Sequence, residues 1–86
     1  MDYAVRTPAQ LGQVVKGVRR QRGLTQSAAG RRVGMLQGAV SLVEADPGKV
    51  SVAKLFRLLS ALDLDLVVRE KGTVAGPRGR RKRPEW

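Results

Sequence analysis

The side chains in this sequence with the most chemistry to offer are its cations, and their chemistry is the binding of polyanions. Seventeen lysines and arginines stand against seven aspartates and glutamates, a net charge of +10. Eleven basic and six acidic side chains fall in residues 1–70, whereas six basic and one acidic crowd into residues 71–86. Such a surplus favours a phosphate-rich partner, because neutralised phosphates release condensed counterions. Catalysis is poorly provided for. Histidine, the commonest general base, and cysteine, the readiest nucleophile, are both absent. Without cysteine there are no disulfides and no thiolate metal sites. The acids Asp2, Glu44, Asp46, Asp63, Asp65 and Glu85 show no pairing at a Gly-rich phosphate loop. Glu44 reads as a structural brace, and Asp63 and Asp65 as solvated. A binding protein is expected, not an enzyme, with no metal and no cofactor.

The elements that must position those charges begin at Thr7-Pro8-Ala9-Gln10. Thr7 can cap a helix, Pro8 suits its first position, and Gln10 stands where a capping box wants Glu or Gln. Leu11, Val14, Val15 and Val18 then recur at i, i+3, i+4 and i+7, one apolar helical face. Arg19, Arg20 and Arg22 close the helix where cations suit its dipole, and Gly23 follows as a C′ residue. Thr25 caps a second, short helix over about Gln26 to Val33, ended by Gly34. A third runs from about Gln37 to Glu44 with Val40 and Val43 inward. Pro47-Gly48 marks a loop. Ser51 caps a fourth helix, with Val52, Leu55, Phe56, Leu59 and Leu62 as its inward stripe. Ala28, Ala29, Gly30 and Ala39 are small, so the second and third helices can approach closely. Gly30 costs a helix about 1 kcal/mol relative to Ala, which that contact would offset.

After Asp63 the pattern changes. Leu64-Asp65-Leu66-Val67-Val68-Arg69 is rich in β-formers and reads as one short strand. A lone strand needs a partner, and the same strand of a second copy is the economical one, through Leu64, Leu66, Val67 and Val68. The other reading is an extended segment packed on its own helices. A chain this short buries only about 60% of its unfolded surface, which dimerisation would help. The expected organisation is therefore a domain over residues 1–70 and a basic tail, residues 71–86, too rich in Gly, Pro and Arg to build a core. No apolar run approaches the ~20 residues a bilayer span requires. MDYAVRTPAQ lacks the pattern of a signal peptide. A soluble cytoplasmic protein without a membrane partner is expected.

Two short helices joined by a tight glycine turn are a helix-turn-helix signal, and the second would enter the major groove. Leu24, Thr25, Gln26, Ala29, Gly30, Val33, Gly34, Val40, Ser41 and Glu44 resemble the Xre, or λ-repressor-like, helix-turn-helix family. The likeness covers residues 8 to 62. It implies an all-α, four-helix DNA-binding domain, to which the residues after Asp63 add one short C-terminal β-strand pairing across a homodimer. Two positions depart from the pattern: Leu36 replaces a polar N-cap, and Leu42 replaces a polar, often base-facing residue. Either can meet a thymine methyl or pack against protein. The resemblance implies that Gln26 bonds a phosphate and braces Gln37, and that Gln37 reads a base. Gly38 would leave room for the DNA backbone, and Ser41 would reach a base or phosphate. Ser27 joins Gln26 at the DNA, while Arg22, Arg31, Arg32 and Lys49 are phosphate candidates. Two copies would set their recognition helices about 34 Å apart on palindromic double-stranded DNA.

HipB-like antitoxins resemble more of the chain. They share the start Thr7-Pro8-Ala9-Gln10-Leu11, four helices, a strand like Leu64 to Arg69, and a tail that can end as Glu85-Trp86 does. That resemblance implies a dimeric antitoxin that binds operator DNA, represses its own operon and holds a HipA-like Ser/Thr kinase toxin. A stand-alone Xre-type regulator is the alternative. A small basic RNA- or ribosome-associated protein is a third reading. The basic tail departs from the more polar tail of the subfamily and stays open to three roles. It is a solvated end, a non-specific DNA arm through Arg78, Arg80, Arg81, Lys82 and Arg83, or a partner-binding peptide anchored by Trp86.

Overall fold

A computed structural model describes residues 2–70 of the chain. The tail assigned to residues 71–86, with Arg80, Arg81, Lys82, Arg83 and Trp86, lies outside the described residues. Four helices follow one another: α1 (Pro8–Gln21), α2 (Gln26–Arg31), α3 (Gln37–Ala45) and α4 (Val52–Ala61). A 3-10 turn, Pro47–Lys49, joins the last two.

The sequence punctuation works as read. Thr7, Thr25 and Ser51 each accept a bond from the backbone N–H three residues on, at 3.0–3.1 Å. The capping box is displaced by one residue: Gln10 Oε1 accepts from the N–H of Arg6 (2.5 Å), not from Thr7. Gly23 and Gly34 both adopt φ 70°, and Asp63 takes φ 58° after α4. Each is the left-handed residue that turns the chain off a helix, and the N–H beyond it returns to a carbonyl five residues back. These bonds are Leu24 to Arg19, Met35 to Gly30 and Leu64 to Leu59. That closure also shortens the second helix. It ends at Arg31, before the expected Val33, because residues 32–34 already form the turn.

Val15, Val18, Ala29, Met35, Val40, Val43, Leu58, Leu59, Ala61 and Leu62 form the buried core, with Leu11, Val14, Leu24, Val33, Leu55 and Leu64 packed against it. The stripe of α4 is only partly the one expected. Leu55, Leu58, Leu59 and Leu62 face inward, while Val52 (68% exposed) and Phe56 (50%) face outward. So many positions of α4 are apolar that two stripes satisfy the i, i+3, i+4 rule; only the packing of α4 on α2 and the rest of the core selects between them. Small residues bring helices together at two points. A Cβ on Gly30 would lie 2.3 Å from the Met35 carbonyl oxygen, and one on Gly12 would lie 2.3 Å from that of Glu44.

Gly17 supplies the contrast. It sits inside α1, exposed, with nothing within 4 Å of an added Cβ. Gly17→Ala is therefore expected to raise stability by about 0.5–1 kcal/mol through helix propensity alone. Urea unfolding checks it, and a lower midpoint would count against a free position there.

Residues 64–70 carry no strand within this single chain. A strand is defined by its ladder, and the described residues offer no second strand to pair with. Leu64 packs against the core, whereas Leu66, Val67 and Val68 are all exposed. Among the described residues no helix is long and apolar enough to cross a membrane. None of their acids gather into a group of three or more that could hold a metal ion.

Candidate nucleic-acid interface

α2 and α3 are tied at the core and open at the surface. Ala29 and Gly30 are the buried side of α2; Val40, Val43 and Glu44 are the buried side of α3. Opposite them lie Ser27 and Arg31, i and i+4 on α2, both exposed. On α3, Gln37, Gly38 and Leu42 are exposed and Ser41 is half-buried. Nothing lies within 4 Å of a Cβ on Gly38, so the first turn of α3 presents bare backbone outward. The pattern is a helix pair whose outer face carries amides, hydroxyls and guanidinium, the groups that reach base edges and phosphates.

The two glutamines meet there. Gln37 Nε2 donates to Gln26 Oε1 at 2.6 Å. Gln26 Nε2 in turn donates to Glu44 Oε1 at 3.1 Å. Glu44 is buried and bidentate with Arg19: Arg19 Nε donates to Oε2 at 2.5 Å and Nη2 to Oε1 at 3.1 Å. Arg19 Nη1 also donates to the Leu24 carbonyl at 2.8 Å, at the end of the turn leaving α1. One chain of bonds thus runs from the core to the tip of α3. Glu44 is the brace it reads as, and Gln26 does hold Gln37.

Arg19 is the residue that sequence reading misplaces. It looks like a cation at a helix end, yet it is buried at 7% exposure. The signal was present: with Leu11, Val15 and Val18 it completes an i, i+4, i+7, i+8 row. A charge on that apolar face requires a buried partner. Gly12 was also passed over; its closeness to the Glu44 carbonyl seats α1 on the end of α3.

The other candidates sort by what already holds them. Leu36 caps α3 without a side-chain bond and is 82% exposed, so among the described residues it has little to pack against. Leu42 is partly exposed and lines a shallow concavity with Ala39, Lys49, Val50, Ser51 and Lys54. Lys49 is exposed beside Asp46, 3.8 Å away. Arg22 is exposed at the C-cap of α1. Arg32 is committed elsewhere: its Nη1 donates to the Ala61 carbonyl at 2.9 Å, capping the end of α4. Phe56, Leu59, Ser60, Asp63, Leu64, Asp65 and Leu66 line a second groove, between α4 and the segment that follows it.

Comparison with known proteins agrees with this geometry. The family model described as "Helix-turn-helix domain" matches residues 4–70. Antitoxin HipB of Escherichia coli O6:H1 is 29% identical over 80 residues, covering 93% of this chain and 85% of the relative. Antitoxin HipB of Escherichia coli strain K12 is 28% identical, covering 93% and 91%. Among solved structures, the HipA-HipB-O2-O3 complex and the HipB-O4 20mer complex each match with a TM-score of 0.76 and 29% identity. Each covers 80% of this chain and 97% of its own.

Proposed function

This chain belongs to the helix-turn-helix domain family, and on that premise we propose that it is a dimeric, DNA-binding antitoxin that represses its own operon and neutralises a HipA-like Ser/Thr kinase. The observation that carries the DNA-binding half is the Gln26–Gln37 bond, which sets an amide at the open tip of α3. Gln37 reads a base edge, and an amide can bond adenine at two points. Gln26, Ser27, Arg22, Arg31 and Lys49 position the phosphates, which adds affinity and salt dependence without sequence information. Gly38 admits the backbone, and Ser41 reaches a base or phosphate. Leu36 and Leu42 meet thymine methyls; the exposure of Leu36 supports that over packing against protein.

Residues 1–70 form the DNA-binding and dimerisation domain and residues 71–86 the tail, which serves DNA or the kinase through Arg80, Arg81, Lys82, Arg83 and Trp86. Leu66, Val67 and Val68, exposed here, pair with the same segment of a second copy, with Leu64 as the anchor to each core. Phe56 lines the groove that ends at Leu66, which supports its burial in the same interface. Phe56→Glu is expected to turn the dimer into a monomer at micromolar concentration. Sedimentation measures this, and affinity for a two-fold-symmetric duplex should fall at least tenfold while helix content stays. An unchanged dimer would remove that face from the interface.

The likeness to HipB, solved in one structure with HipA, supports a kinase partner for this chain. The protein would work in the cytoplasm, on its operator. The deciding experiment is native purification from the source cells, where a HipA-like kinase should accompany the chain. If none does while a palindromic duplex is still bound, the protein is a stand-alone Xre-type regulator.

A further inference from the structure

The bonds joining the buried ion pair to the tip of the recognition helix can run in only one sense. Glu44 faces Arg19 as a carboxylate, and a carboxylate accepts but does not donate. Its Oε1 takes a hydrogen from Gln26 Nε2. The Gln26 amide therefore turns its nitrogen inward and its oxygen outward. That oxygen takes a hydrogen from Gln37 Nε2. Gln37 is left with its whole carbonyl oxygen and one N–H, an acceptor beside a donor. Adenine offers the complement in the major groove, the N6 donor and the N7 acceptor; guanine offers two acceptors, O6 and N7.

We propose that Glu44 is a positioning residue for base selection: its negative charge, relayed through Gln26, fixes which way the Gln37 amide faces and so makes this helix choose adenine over guanine. The inference rests on the reading of Gln37 as a base contact. A Glu44 that only clamped α1 to α3 would affect stability and leave base preference alone.

Substitution should reverse the relay. In Glu44→Gln, Arg19 can only donate, so the new amide keeps its oxygen on Arg19 Nε, the shorter of the two bonds, and turns its NH2 to Gln26, giving up the bond from Arg19 Nη2. Gln26 then flips and offers NH2 to Gln37. Gln37 turns its oxygen inward and presents donors outward, the pattern suited to guanine. Adding Gln26→Glu restores an acceptor-only group beside Gln37 at unchanged net charge. Gln26→Met leaves the ion pair intact and removes the relay altogether.

The probe is a duplex enriched from a random library by the wild-type dimer, with each base pair then varied singly. The pair whose preference is abolished in Gln37→Ala is the one to follow. There the wild type should prefer A·T over G·C by roughly tenfold or more. In Gln26→Met, with unchanged helix content, that ratio should fall to within about twofold, since the amide is free to turn either way. Glu44→Gln should move preference towards G·C, and the double variant should return it to A·T, even where overall affinity drops. A wild-type ratio in Gln26→Met overturns the proposal; if Glu44→Gln fails to fold, Arg19→Met with Glu44→Leu removes the charge inside a packed core, and a wild-type ratio there overturns it too. If Gln37→Ala alters preference at no pair, the reading of Gln37 itself fails and the relay falls with it.

Discussion

Replacing Arg19 with methionine is expected to cost about 3–5 kcal/mol of stability, because it leaves a carboxylate buried without its counter-charge. The side chains of Arg19 and Glu44 are 9% and 4% exposed, and three bonds converge on the guanidinium. Those bonds join α1 to α3 and to the turn before α2, so one substitution loosens three elements. A small domain holds only about 5–15 kcal/mol in total. The thermal midpoint should accordingly drop by roughly 15–30 °C, read by circular dichroism. Arg19→Met with Glu44→Leu should recover most of the loss, since a packed apolar pair can replace a buried ion pair. A single variant melting with the wild type would mean that Glu44 is satisfied without Arg19.

Gly30→Ala should destabilise as well, although alanine is the better helix former. Propensity would return about 1 kcal/mol. Against it, the new Cβ lies 2.3 Å from the Met35 carbonyl oxygen and 3.0 Å from Val40 Cγ2. The first of these atoms is backbone, pinned by the bond from Met35 N to the Gly30 carbonyl (2.8 Å). Neither can yield without moving α3 away from α2. Overpacking of this kind costs about 1–3 kcal/mol and occasionally more; a 2.3 Å approach to backbone belongs at the upper end, so with the propensity gain subtracted a net loss of about 2 kcal/mol is expected in urea unfolding. DNA affinity should fall for all sequences together, because the angle between the two helices changes while no base contact is removed. A variant more stable than the wild type would mean that the helices are not so closely apposed.

Much of the architecture is legible because it is local. A cap needs one hydroxyl and an N–H three residues away, and Thr7, Thr25 and Ser51 supply it wherever the rest of the chain goes. Gly23 and Gly34 end helices for an equally local reason, the left-handed backbone they tolerate. Asp63 takes the same conformation without being glycine, and only its neighbours reveal it. The glutamine pair was legible through the likeness to a known family: Gln26 and Gln37 fall at its positions, and the 2.6 Å bond between them is there.

What the sequence by itself determined, then, is the set of helices, their caps and turns, the absence of histidine and cysteine and the place of the helix-turn-helix. These follow from bonds spanning a few residues and from composition. Only the tertiary structure decided which of two apolar stripes on α4 faces inward, leaving Phe56 half-exposed. It alone named Glu44 as the buried partner that the place of Arg19 on the apolar face of α1 requires, and gave Arg32 to the end of α4. The physical reason is the same in each case. Whether a side chain is buried, paired or free depends on residues about 25 to 29 positions away in the chain, and periodicity along one helix carries no record of them.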